Sequence, residues 1–156
     1  MATLTTTISE AVTINSQQRG STNVLTITGI EHTFERVVTI PANTDSTVLL
    51  TKDTIASSDG AVDIQDTKYI RITNLDTDNT VNLSLQIDRH NDDSGAEESA
   101  TISLQAGHSF IMGTPHDSIA VSDASAAINT TMHDLESILV DSSDQAVKVE
   151  IFVAGA

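Results

Sequence analysis

Several groups of residues have types and spacings that chemistry can use. Gly107-His108-Ser109-Phe110 sets a histidine and a serine directly after a glycine. The esterase pattern needs a glycine on each side of its serine, so that the chain bends sharply and exposes the hydroxyl. Here Phe110 and Ile111 follow, which places Ser109 inside a strand and predicts a structural role. His32, His90, His108, His116 and His133 are far apart, and no two have ligand spacing on a helix. Zinc favours tight Cys/His pairs, and the chain has no cysteine. No metal held by histidine is expected.

Asp76-Thr77-Asp78-Asn79 offers oxygens at alternate positions, as a hard cation requires. The glycine and terminal glutamate of a calcium loop are missing, and Asp and Asn favour tight turns for local reasons. A turn is therefore expected. The loop holding Asp92, Asp93, Glu97 and Glu98 is a weaker candidate for a divalent ion. Paired carboxylates for glycoside cleavage lack their usual setting. Sugar sites rely on flat aromatic faces, and Phe34, Tyr69, Phe110 and Phe152 are the complete aromatic set. No phosphate loop, kinase signature or dinucleotide fingerprint occurs. The expectation is a protein without catalytic residues, cofactor or resident metal, and not an enzyme.

Charge narrows the partners. The formal net charge is -15, from 22 acidic and 7 basic residues, and the basic ones are scattered. Nucleic-acid binders need clustered Lys and Arg to displace counterions from phosphate, so DNA and RNA are excluded. An acidic excess confers solubility and salt tolerance, or keeps like-charged particles apart. No apolar run is long enough to span a membrane. Residues 1–8 lack a basic start and an apolar stretch and do not read as a secretory signal. Without cysteine there are no disulfides, and the redox compartment is not legible.

The elements that position these residues are strands. Val81, Leu83, Leu85 and Ile87 alternate with Asn82, Ser84, Gln86 and Asp88, giving one dry face and one wet face. With Lys68 to Leu75 before it and Asp76–Asn79 as the turn, this reads as a hairpin from Lys68 to Asp88. Val147, Val149, Ile151 and Val153 alternate in the same way. Phe34, Arg36, Val38 and Ile40 share a face, which predicts an edge position or a buried acidic partner for Arg36. Pro41 ends that strand, because proline removes a ladder donor.

Other strands are expected at residues 23–28, 46–51, 101–104, 108–112, 118–121 and 137–140. Turns are expected at Gln17–Ser21, at Asp59-Gly60 and at Gln105-Ala106-Gly107. Residues 122–134 read as one or two helical turns or a long loop. The core must be Ile, Val and Leu, which favour pleated strands. About eight to ten short strands with frequent turn signals predict an all-β fold, an antiparallel β-sandwich. Uneven strands and long loops favour a jelly-roll-like topology over an immunoglobulin-like one. Residues 1–14 are expected as an N-terminal arm or peripheral strand, and 15–156 as a single β-sandwich domain.

Val37-Val38-Thr39-Ile40-Pro41-Ala42, Thr47-Val48-Leu49-Leu50, residues Lys68 to Asp76 and Gly107-His108-Ser109-Phe110-Ile111-Met112 together resemble small β-sandwich structural proteins of tailed bacteriophages. These are head decoration or cement proteins, with some tail-associated relatives. The resemblance covers roughly residues 35 to 112 and rests on strand patterns, so it carries over no functional residue. It implies a virion component on the outer capsid surface, bound to the major capsid protein and stabilising the shell by multivalent contacts. A homo-oligomer, a trimer, would suit threefold positions of such a shell.

Thr3, Leu4, Thr5, Ile8 and Val12 are the candidate contact residues, because an extended Thr-rich segment can add a strand to an exposed sheet edge. An ordinary first strand is the plainer reading of the same residues. The alternatives are a tail- or fibre-associated host-recognition module and a calcium-dependent carbohydrate-binding β-sandwich.

Overall fold

A computed structural model describes residues 2–53, 61–90, 95–96, 98–122 and 128–156. Among them are thirteen strands and no helix. Eight of the strands form two antiparallel sheets. The first holds β5 (His32–Ile40), β8 (Thr67–Asn74), β11 (Ser109–Met112) and β13 (Val147–Gly155), in the order β11-β8-β13-β5. The second holds β6 (Ser46–Lys52), β9 (Val81–Asp88), β10 (Glu98–Leu104) and β12 (Asp134–Asp141), in the order β10-β9-β12-β6. The short β7 (Val62–Asp63) adds parallel to β6. This is the strand order of a jelly roll, with two Greek keys: successive strands cross between the sheets except at β9 and β10, which pair as a hairpin within the second.

The dry faces of the two sheets meet. Ile40, Ile70, Ile72, Val149 and Ile151 of the first pack with Val48, Leu83, Leu85, Ile138 and Val140 of the second in one buried cluster. Each such side chain contributes about 1.5–3 kcal/mol by leaving water. Arg36 sits at the edge position that its pattern allowed: β5 is the last strand of its sheet, and the guanidinium lies 5.4 Å from the Phe34 ring centre.

Two expected hairpins are instead crossings between sheets. β8 pairs with β11 and β13, whereas β9 pairs with β10 and β12, so residues 75–80 carry the chain across the core. Residues 105–108 do the same from β10 to β11. The two corners are tied together. The Asn74 backbone N–H donates to the His108 carbonyl at 3.0 Å, and that of Gly107 to the Asn74 carbonyl at 3.1 Å. At a second pair of corners the Ser142 hydroxyl donates to the Pro41 carbonyl at 3.0 Å, and the Asn43 N–H to the Ser143 carbonyl.

The expected strand at residues 118–121 reduces to a single bridge between Ile119 and His133. The expected Asp59-Gly60 turn and residues 123–127 lie outside the described residues, and the described residues 128–132 of the 122–134 stretch are loop and not helix.

Candidate functional site: a formally neutral hairpin

Residues 2–30 stand apart from the sandwich. β1 (Ala2–Ser9) pairs with β4 (Thr22–Ile30), and β2 (Val12–Ile14) with β3 (Gln17–Arg19), so the four strands make one long two-stranded ribbon. The segment expected as an arm is one half of that ribbon. Gln17–Arg19, expected within a turn, is its return strand.

The reversal lies earlier, at Asn15 and Ser16, with φ of 51° and 62°. Two consecutive left-handed residues make the type I′ turn whose twist suits a two-residue hairpin, and Asn tolerates that conformation well. Gly20, with φ of 121°, passes so close to the Glu10 carbonyl that a Cβ would collide with it.

The base of the ribbon is anchored. Leu4, Ile27 and Ile30 pack on Tyr69, Phe152 and Ala154 of the outer face of the first sheet. Tyr69 and Phe152 meet edge to face at 6.1 Å, and Arg71 reaches Glu150 at 2.6 Å beside them. A groove of about 390 Å³ runs between residues 4–8 and Tyr69, Arg71, Ile111 and Phe152. Beyond that base, every residue from 7 to 26 is exposed. Ile8, Val12, Ile14, Val24 and Leu25 are 47 to 60 % exposed, and they include nearly half of the large exposed apolar residues described.

The two faces differ. Leu4, Thr6 and Ile8 share the body-facing side with Ile27, Leu25 and Asn23, their partners in register. The outward face is a ladder of small β-branched and hydroxyl pairs: Thr3 with Thr28, Thr5 with Thr26, Thr7 with Val24 and Ser9 with Thr22. The last pair is hydrogen-bonded at 3.1 Å. Glu10 and Arg19 are the charged residues of segment 2–30, so the ribbon is formally neutral and the rest of the chain carries the whole charge of -15.

The candidate residues therefore divide. Thr3 and Thr5 lie on the outward ladder, Leu4 faces the sandwich, and Ile8 and Val12 are exposed. The strand holding Val24 and Leu25 was expected, but its pairing with β1 and the return strand Gln17–Arg19 were missed by sequence reasoning. Their signal was the Asn15-Ser16 pair set between two Thr-rich alternating segments.

The remaining candidates are placed as follows. Ser109 lies in β11, its hydroxyl 2.8 Å from that of Thr73. The Asp76 carboxylate accepts the N–H groups of Asp78 at 2.9 Å and Asn79 at 2.8 Å. These donors hold its pKa below the ordinary value of 3.8, with the Asp78 bond the largest cause. Its oxygen thus caps its own turn. Glu98 reaches Arg89 at 3.1 Å, while Asp92, Asp93 and Glu97 lie outside the described residues.

No protein-family model matches this chain, and no curated protein matches it. Among solved structures it is similar to a chain of the Bacillus endospore appendages, described as a family of disulfide-linked pili. That chain is 12 % identical, and the match covers 83 % of this chain and 93 % of that one, with a TM-score of 0.37. A likeness that distant supports no assignment.

Proposed function

We propose that this chain is a non-catalytic structural subunit that decorates and cements the outer surface of a tailed-phage capsid, gripping the major capsid protein through its hairpin. The observation that supports this is the ribbon over residues 7–26, exposed throughout and rich in β-branched residues. A two-stranded ribbon is marginal in water by itself, and its unpaired edges invite a further strand. A neighbouring sheet edge would satisfy both needs. The neutrality of the ribbon fits the same role, because a body of charge -15 repels its own kind and other acidic surfaces everywhere else. The resemblance of residues 35 to 112 to head decoration proteins supplies the identity of the partner.

Several such grips on one shell multiply in strength without any one of them being tight. The test is to titrate the purified chain onto empty expanded shells of the virus's major capsid protein and sediment them. Saturation at a fixed ratio is expected, together with loss of binding by a Val12→Asp/Ile14→Asp variant of unchanged melting temperature. Failure of the wild type to sediment with the shells overturns the proposal. Binding to host envelopes instead would move the chain to a tail or fibre.

A further inference from the structure

The outer face of the second sheet carries a groove of about 280 Å³. Asn82, Ser84 and Gln86 of β9 line it beside Leu139 and Asp141 of β12, with Asp45 from the residues before β6. The register places them there: Asp141 lies opposite Asn82 and Leu139 opposite Ser84, on the face turned away from buried Leu83 and Val140. The groove thus offers hydroxyls and amides, one apolar side chain and two carboxylates, and no basic residue lines it. Its volume falls just under the roughly 300–1,000 Å³ of small-molecule pockets, which suits a few side chains of another protein.

The ribbon tip presents the complementary set. Val12 is in register with Arg19 and Ile14 with Gln17, so these four side chains share one face of the tip. All four are exposed. Residues 11–30 contain Arg19 and no acidic residue, so all 22 acidic residues lie elsewhere in the chain. We propose that the ribbon tip of one copy docks in this groove of a second copy, with Arg19 at Asp45 and Asp141 and the apolar tip residues at Leu139.

Charge selects this occupant. A body of charge -15 is repelled by the groove, while the tip approaches it with a guanidinium and without a carboxylate. The guanidinium fork matches carboxylate geometry, and the tip's apolar residues have Leu139 to cover. The ribbon also holds the two bodies apart. From Ser9 to Asn15 it extends by roughly 20 Å at about 3.3 Å per residue. That is about twice the ~10 Å screening length at 0.1 M salt, so body repels body only weakly. One copy cannot close the contact on itself, because its ribbon is anchored on the first sheet and its groove lies on the second. The contact is therefore heterologous, and copies join head to tail into rings or open chains. It uses tip side chains and leaves the backbone edges of β1 and β4 to a shell strand, so it stands apart from the capsid role.

The experiment measures the mass of the full chain by sedimentation equilibrium, from micromolar to millimolar concentration at physiological salt and without shells. The expected result is reversible association of the wild type, weakened at least about tenfold by Arg19→Asp and by Asp45→Asn/Asp141→Asn. Asp141→Asn keeps the oxygen that accepts the Ser143 N–H, and both variants should hold the wild-type melting temperature. Mixed in equal amounts, the two variants should form one-to-one pairs that grow no further, since one supplies an intact groove and the other an intact tip. A wild type that stays monomeric at millimolar concentration overturns the inference. So do variants that associate like the wild type, or a mixture that fails to pair. A monomeric wild type whose groove variant loses shell binding also overturns it, and would give the groove to the capsid protein. No shell is present in the sedimentation, so its failure and that of the shell titration are read separately.

Discussion

The side-chain amide of Asn74 donates to the backbone carbonyl of Leu104 at 3.2 Å, joining the end of a strand in one sheet to the end of a strand in the other. The same amide donates to the Asn79 carbonyl at 2.8 Å, and its oxygen accepts the Asp76 N–H at 3.0 Å. Asn74 is fully buried, so these bonds are made out of reach of competing water. One side chain thus fixes the corner after β8 and fastens it to the corner after β10.

Replacing Asn74 with Ala leaves the Leu104 and Asn79 carbonyls short of a buried donor. We expect a loss of roughly 2–4 kcal/mol, since each orphaned buried group costs about 1–3 kcal/mol. Chemical denaturation of the variant checks this. A loss within 0.5 kcal/mol, the range of ordinary surface changes, would show that the corner holds without the amide.

Leu83 lies fully buried between the sheets, opposite Ile102 on β10 and Val140 on β12. Leu83→Ala should cost about 2–5 kcal/mol from lost transfer energy and the cavity left behind. For a chain of this size each kcal/mol lowers the melting temperature by roughly 2–4 °C. Calorimetry of the variant against Leu139→Ala, on the outer face, isolates the cavity contribution.

The ribbon has its own sensitive positions. Ser16→Gly relieves a left-handed residue and should favour the turn by about 1 kcal/mol. Gly20→Ala places a methyl against the Glu10 carbonyl and should melt the ribbon beyond β1 and β4. Amide hydrogen exchange reads both: protection of residues 12–19 should rise in the first variant and vanish in the second. The sandwich amides should stay as they are in both.

Acid stability should bear the mark of Asp76. Its folded-state pKa is lowered, so its contribution is fully present above the unfolded value and is lost as pH falls from about 4 through the lower folded value. Urea midpoints should therefore drop more between pH 5 and pH 3 in the wild type than in Asp76→Asn. Equal drops in the two proteins would remove Asp76 from the acid limb.

Strand positions were legible in the sequence where burial imposes strict alternation. Val81 to Asp88 and Val147 to Val153 fall where period-two patterning puts them, because a one-residue slip would turn every apolar side chain outward. Strand partners were not legible. The alternation of residues 69–87 is the same whether the turn at Asp76 folds the chain back in plane or carries it to the facing sheet. What decides is the buried hydrogen bonding of Asn74 to a carbonyl thirty residues away.

The ribbon was half legible for a related reason. Its exposed faces carry no dry stripe, so Gln17–Arg19 gave no strand signal, and pairing with residues 12–14 supplied the structure. His116 Nδ1 lies 2.9 Å from Asp134 Oδ1 beside the Ile119–His133 bridge, a contact that no local pattern announces.

The ribbon has one more consequence through its attachment. Glu31 alone separates β4 from β5, and its N–H continues the β13 ladder by bonding to the Gly155 carbonyl at 2.9 Å. Tension on the ribbon therefore enters the body lengthwise, along a strand held to β13 over nine consecutive register pairs. Those bonds share the load in shear and must yield together. A molecule pulled by its arm would resist detachment far better than one peeled open from a free end.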